Sequence, residues 1–279
     1  MDGIASPEGR AATPSMPIDQ PVFLLCAGGR TGSTSLQRLI ISSGEALIWG
    51  EHGGLYMAAL EPMLAGLHHL STGAARTQYA QLAERGPQAW LANVQPPFEH
   101  ALEGARALWL EALGRPARDL GYPRWGFKEI RYGGSSALAL RTLFPGGRFV
   151  VLVRHPQAAL RSIKSVPWYG RDHQADPRRF LRQWEQLGSS LLEALPWLGP
   201  GLLVQHETLL QDPEGALATL GGHLGIDPLR FDREVLDQVL RGTASPPAEL
   251  DEADLAALGQ PEILALAERL GYPPAPIQG

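Results

Sequence analysis

Only one cysteine, Cys26, occurs among the 279 residues. An intramolecular disulfide and a cysteine-based metal cluster are therefore excluded. Cys26 closes an apolar run, where a buried, inert thiol belongs. No apolar run approaches the ~20 residues needed to span a bilayer. Positive charge is scarce too, with a formal net charge of −5. General nucleic-acid binders and membrane-surface binders carry a basic excess, so the balance points away from both. The opening MDGIASPEGRAATPSMPIDQ lacks the hydrophobic stretch of a secretory signal. Its Pro, Ser, Ala and Gly read as a flexible tail over 1–20. A cytoplasmic enzyme is the expectation. There is no internal repeat.

Hydrophobic residues make up 44% of the chain, enough for a substantial core. The length suits one large α/β domain or two small ones. Strand-like and helix-like runs alternate. A strand over 21–26 is followed by a helix from Thr34 to about Ser43, with Ser33 or Thr34 as N-cap. The segment 55–120 reads as mostly helical, broken at STG, RGP and QPPF. RWGFKEI (124–130) reads as a short strand and GGSSALALRTLF as a helix. Phe149 to Val153 are five consecutive apolar residues, the pattern of a strand buried on both faces. Pro156 opens a helix, a longer one runs from about Pro177 to Ala194, and GLLVQHE reads as another buried strand before a further helix. This order predicts an α/β fold with a largely parallel central sheet. The domain is expected over 21–279, with a helical insertion over 55–123. Ligands of such sheets sit at the carboxyl ends of the strands. Arg30, Lys128, Arg154 and His206 all fall at or just after predicted strand ends.

CAGGRTGSTSLQRLI, residues 26–40, carries the first chemical signal. It reads as strand, tight loop, helix, the arrangement that cradles a phosphate with backbone N–H groups. An ATP-type loop needs a lysine before a hydroxyl residue, and no register here supplies GK[ST]. Arg30 stands at the front of the loop instead. Arginine offers planar, multidentate contacts to an oxyanion. Gly32 permits close approach, and Thr31, Ser33, Thr34 and Ser35 offer hydroxyls and helix-terminal N–H groups.

The second signal follows FVVLV. Arg154 stands where a magnesium-dependent NTPase often places an aspartate. Ser162 lies eight positions on, about two helical turns along. Between Arg154 and Arg182 there are seven Lys or Arg against two Asp, a basic island in an acidic chain. It suits a second phosphate. Arg161, Lys164, Arg178, Arg179 and Arg182 could also be scattered charges on a solvated helix.

Two anion sites at two strand ends resemble the sulfotransferase family, which uses 3′-phosphoadenosine 5′-phosphosulfate. GGRTGSTSL is similar to that family's loop for the 5′-phosphosulfate. VVLVRHPQAALRSIKS is similar to its 3′-phosphate motif, which implies that role for Arg154 and Ser162. The resemblance implies a single three-layer P-loop-type domain with a central parallel sheet and a helical insertion. It runs over 21–55 and 124–230, and within the family is closest in pattern to the tyrosylprotein and bacterial carbohydrate branch. In that branch a Glu after the first helix is the catalytic base, which implies the role for Glu51, 21 residues after Arg30. His52 is the competing base. A Lys at a strand end also belongs to that branch, and GFKEI supplies Lys128. Strand side chains alternate faces, so only one of Lys128 and Glu129 points to the site. The resemblance implies no metal, no nucleic acid partner and a small-molecule or carbohydrate hydroxyl acceptor. The cytosolic branch's RKG element has no clear counterpart, though LRGTASPP offers Arg241 and Thr243. Trp168 and Tyr169 are aromatics for a stacking contact or for the core.

The implied chemistry is in-line sulfuryl transfer, which like phosphoryl transfer relies on positioning and charge stabilisation. Glu51 would take the acceptor's proton. Arg30 and Lys128 would neutralise charge on the leaving oxygen. The alternatives are a P-loop kinase-like phosphotransferase and a non-catalytic nucleotide-binding protein.

Overall fold

The computed structural model describes residues 17–166, 168–199, 201–236 and 248–272. Most of the expected tail, residues 1–16, and Arg241 and Thr243 lie outside the described residues.

Five strands form one parallel sheet: β1 (Val22–Cys26), β2 (Ala46–Trp49), β3 (Arg124–Glu129), β4 (Arg148–Val153) and β5 (Gly201–Gln205). Their spatial order is β2-β3-β1-β4-β5. The register pairs Leu25 with Glu129, and Cys26 with Leu152. The ends of β1, β3 and β4 therefore finish side by side. Parallel strands need long crossovers, and helices supply them on both faces.

The alternation within β1 shows how two apolar faces are made. Phe23 and Leu25 pack into one core with Phe127, Phe149 and Trp184. Val22, Leu24 and Cys26 pack into another with Leu36, Leu39 and Ile40. The second core is closed by α1 (Ser33–Ser42) and by the helix Pro213–Leu224. The first is closed by helices including Gly134–Leu143 and the long Pro177–Ala194. The result is the α/β three-layer sandwich that the sequence implies.

Residues 55–120 contain helices Leu55–Leu70, Ala74–Arg85, Phe98–Trp109 and Arg115–Asp119. A π-helical turn, Leu110–Gly114, joins the last two. It accepts a hydrogen bond from Trp49 Nε1 at the Leu113 carbonyl, 3.0 Å away. Among the described residues no helix is long and apolar enough to cross a membrane.

Two expectations need correction. β5 is half-buried along its length, not a buried strand, because it lies at the sheet edge. ALIW at 46–49 is a strand that the sequence reading missed. Four residues on the opposite edge carry too short a pattern to stand out from a loop.

Candidate active site

The loop after β1 is built on three left-handed residues. Gly28, Arg30 and Gly32 have φ of 86°, 64° and 85°. Glycine takes this conformation without cost, whereas for arginine it is uncommon and strained. Thr31 is fully buried and donates to the Gly28 carbonyl at 3.4 Å, which closes the turn. The N-cap of α1 is Gly32, and no side chain caps the helix, contrary to the Ser33 or Thr34 expected. Ser33 and Ser35 are already inside the first turn and buried. A helix leaves its first N–H groups without intrahelical partners. With glycine at the cap, no hydroxyl closes them off; the Ser35 N–H donates to the Gly32 carbonyl at 3.0 Å, and those of Ser33 and Thr34 are the donors suited to an anion.

Arg30 ties the two predicted anion motifs together. Its Nε donates to Ser162 Oγ at 3.0 Å. Its carbonyl accepts from Arg154 Nη1 at 2.9 Å. Ser162 stands on the helix Pro156–Lys164, and Arg154 directly follows β4. Burial pushes both guanidinium groups down from their usual range. For Arg154, Glu207 opposes that shift and Arg30 adds to it. Arg154 Nε is buried and, among the described residues, has no hydrogen-bond partner.

Lys128 resolves the alternation at the end of β3. Its Nζ lies 3.3 Å from Thr34 Oγ1 and 2.9 Å from Glu51 Oε1. Lys128 therefore joins the start of α1 to the Glu51 loop. Glu129 turns away from that contact and holds the same loop from beneath. Its Oε2 accepts from the backbone N–H of His52 at 3.2 Å and of Gly54 at 2.9 Å. Its Oε1 accepts from Ile130 N–H at 2.9 Å. Burial alone would raise the Glu129 carboxyl, but these donors and nearby His52 hold it below the usual carboxylate range. Arg131 reaches both carboxylates, with Nη1 3.3 Å from Glu51 Oε2 and 3.2 Å from Glu129 Oε1.

His52 faces Glu129 and Tyr132, each 3.4 Å from its Nδ1, and stacks on Tyr56. Burial lowers its pKa, with Glu129 opposing. The buried Tyr132 hydroxyl accepts from Met57 N–H at 2.9 Å. His52 thus belongs to the packing under the loop, whereas Glu51 reaches Lys128.

Behind the loop stands a support that the sequence reading did not assign. His206, the residue after β5, is buried, with no hydrogen-bond partner for its Nδ1 among the described residues. A Cβ on Gly32 would lie 2.4 Å from that Nδ1, so the imidazole fills the space a side chain would need. Burial, with Arg154 adding, pushes His206 down to about 4. Glu207 beside it accepts from His155 N–H at 3.0 Å and from Tyr272 OH at 3.0 Å. Trp184 Nε1 donates to the Arg154 carbonyl at 3.1 Å. The start of the Pro156 helix and the end of β4 are therefore fixed from outside. The strand-end rule points to His206 but not to what it packs against.

The basic island disperses in three dimensions. Lys164 pairs with Asp251 and Asp254, and Arg161 Nε donates to the Ala248 carbonyl at 3.1 Å. Arg178, Arg179 and Arg182 are exposed on the helix Pro177–Ala194. Only Arg154 and Ser162 of this stretch reach Arg30 among the described contacts. Tyr169 is a core residue, and the Trp168 side chain lies outside the described residues. Cys26 is fully buried, which pushes its thiol up to about 12, as expected of an inert cysteine.

Among curated proteins no relative matches. Among solved structures, the sulfotransferase domain from the curacin biosynthetic pathway superposes with a TM-score of 0.50 at 14% identity, over 91% of this chain and 98% of that one. That likeness is one of fold. The sulfotransferase domain of the Synechococcus PCC 7002 olefin synthase also matches, with a TM-score of 0.47 and 20% identity over 93% of this chain and 90% of its own. A sulfotransferase from Mycobacterium avium gives 0.47 and 13% over 91% of this chain and 76% of its own. The sequence model described as "Sulfotransferase family" matches residues 21–230, well over half the chain. The protein belongs to the sulfotransferase family.

Proposed function

We propose that this protein moves a sulfuryl group from 3′-phosphoadenosine 5′-phosphosulfate to the hydroxyl of a small molecule or carbohydrate, without a metal. When bound, the nucleotide supplies an activated sulfuryl group on its 5′-phosphate. The observation that carries the reading is Lys128, one amine between the Thr34 hydroxyl at 3.3 Å and the Glu51 carboxylate at 2.9 Å. A cation is thereby held between an uncapped helix start and a candidate base. The donor set also fits the group. Arg154 Nε is a buried donor that nothing in the described chain satisfies, as a residue meant for a 3′-phosphate would be. Gly32 lets a phosphate approach the first N–H groups of α1.

In this reading Glu51 accepts the proton of the acceptor hydroxyl. Arg30 and Lys128 neutralise charge that builds on the leaving oxygen. Thr31, Gly32, Ser33, Thr34 and Ser35 cradle the 5′ end, and Arg154 with Ser162 holds the 3′-phosphate. The contact of Arg30 with Ser162 keeps the two ends in one unit. The helices within 55–123 are the candidate acceptor side, since they adjoin the Glu51 loop through Tyr56, which stacks on His52.

The test is calorimetric titration of metal-free protein with 3′-phosphoadenosine 5′-phosphate, with ATP and AMP as controls. Tight metal-free binding that Arg154→Ala abolishes supports the reading. Binding only of ATP with magnesium would replace it with the kinase alternative.

A further inference from the structure

The proposed base, Glu51, sits on a loop (residues 50–54) outside any helix or strand. A general base must hold its geometry to within a fraction of an ångström. What fixes it is one buried carboxylate, used twice. Glu129 is fully buried and anchored by three backbone N–H groups, two of which belong to the Glu51 loop itself. Its second grip is indirect. Arg131 Nη1 bridges Glu129 Oε1 and Glu51 Oε2. Lys128 takes the other oxygen, Glu51 Oε1. The two oxygens of Glu51 are therefore distinguished. One is tied back to the protein through Arg131, and the other faces the cation beside Thr34.

We infer that Glu129 and Arg131 form a positioning pair for Glu51, in which Arg131 holds Oε2 so that Oε1 is the oxygen presented to the acceptor hydroxyl. This rests on the proposed sulfuryl transfer. Arg131 is 44% exposed on its side chain, so truncating it leaves the core untouched. Glu129 is the anchor and takes no part in proton transfer, because its lone pairs are already committed.

The experiment compares wild type, Arg131→Ala, Arg131→Lys, Glu51→Ala and the double variant Glu51→Ala/Arg131→Ala. Two quantities are read. One is the affinity for 3′-phosphoadenosine 5′-phosphate. The other is turnover of the phosphosulfate donor, with water as acceptor. Arg131→Ala is expected to lower kcat on the order of 100-fold, the cost of a misplaced group. Its bisphosphate affinity should stay within about two-fold of wild type, as for a group that acts on the chemistry and not on donor binding. Added guanidinium ion should restore part of the lost rate, and Arg131→Lys should retain more of it than Arg131→Ala. In the Glu51→Ala background, Arg131→Ala should cost nothing further, since residues acting as one unit are not additive. An unchanged kcat in Arg131→Ala would overturn the inference, as would an equal loss in both backgrounds. A loss of bisphosphate affinity in Arg131→Ala would overturn it too, by making the residue part of the donor site. Wild type that binds no bisphosphate would instead sink the sulfuryl-transfer reading, and this inference with it.

Discussion

Gly32 is constrained twice, and the two constraints can be separated. Its φ of 85° is strained for any residue with a Cβ. That left-handed conformation costs an alanine about 1–2 kcal/mol. The second constraint is contact, because the new Cβ would fall 2.4 Å from His206 Nδ1. Forcing an extra methyl into a packed site costs about 1–3 kcal/mol more. Gly32→Ala should therefore lose about 2–5 kcal/mol of stability, or else distort the loop to escape it. His206→Ala removes the obstacle and leaves the strained φ. In a double-mutant cycle read by urea unfolding, Gly32→Ala should cost about 1–3 kcal/mol less in the His206→Ala background. Bisphosphate affinity should fall in Gly32→Ala and recover partly in the double variant, since the approach to the helix N–H groups is reopened. Strictly additive costs would refute the contact. Full wild-type stability of Gly32→Ala would refute both constraints.

Glu51→Gln keeps the shape of the proposed base and removes its proton affinity. Its kcat should fall about 100-fold or more, while the bisphosphate Kd measured by calorimetry stays nearly constant. The stability of the fold should also depend on pH through His206. Its pKa falls from 6.5 to about 4 on burial, so the folded state binds fewer protons than the unfolded chain. The stabilisation is complete above pH 6.5 and is lost as pH falls from there towards 4, a change of ~3 kcal/mol. His52, His155 and His223 shift in the same direction, so the difference between wild type and His206→Phe is what isolates the effect. Equal slopes of unfolding free energy against pH for the two proteins would contradict it.

The sheet was legible in the sequence wherever it is buried on both faces. FVVLV has the pattern of an interior strand, and the glycines and hydroxyls of CAGGRTGSTSL that of a strand-to-helix loop. The edges were less legible, because ALIW and GLLVQ take their role from their neighbours in the sheet and not from their own pattern. The candidate site divides in the same way. Arg30, Lys128 and Arg154 follow from the rule that ligands gather at strand ends. Their partners do not, since Arg30 meets Ser162 across 132 positions and Lys128 meets Thr34 across 94. Alternation in the sequence makes Glu129 a rival to Lys128, whereas in the fold each serves one face of the same strand. Arg131 and His206 carry no motif, and only packing reveals what they hold.

Two of these residues also bear on the proposed anion site. Arg30 and Arg154 are partly withdrawn from water, and the charge of Arg30 adds to the lowering at Arg154. Glu207 offsets this for Arg154, but the Arg154 Nε remains buried and unpaired. A buried donor without a partner costs about 1–3 kcal/mol, and more where the group is charged. The fold therefore carries a local penalty that a bound phosphate would relieve. Arg154→Ala should then leave the ligand-free protein within about 1 kcal/mol of wild type, since one lost hydrogen bond to the Arg30 carbonyl is set against one removed penalty. Wild type with bisphosphate at a hundred times its Kd should gain about 2.7 kcal/mol. In thermal unfolding that is a rise of roughly 2–4 °C per kcal/mol for a domain of this size. The variant should gain almost nothing at the same concentration. If Arg154→Ala instead collapsed the ligand-free protein, Arg154 would be a structural brace between β4 and the loop, and its orphaned nitrogen would say nothing about a ligand.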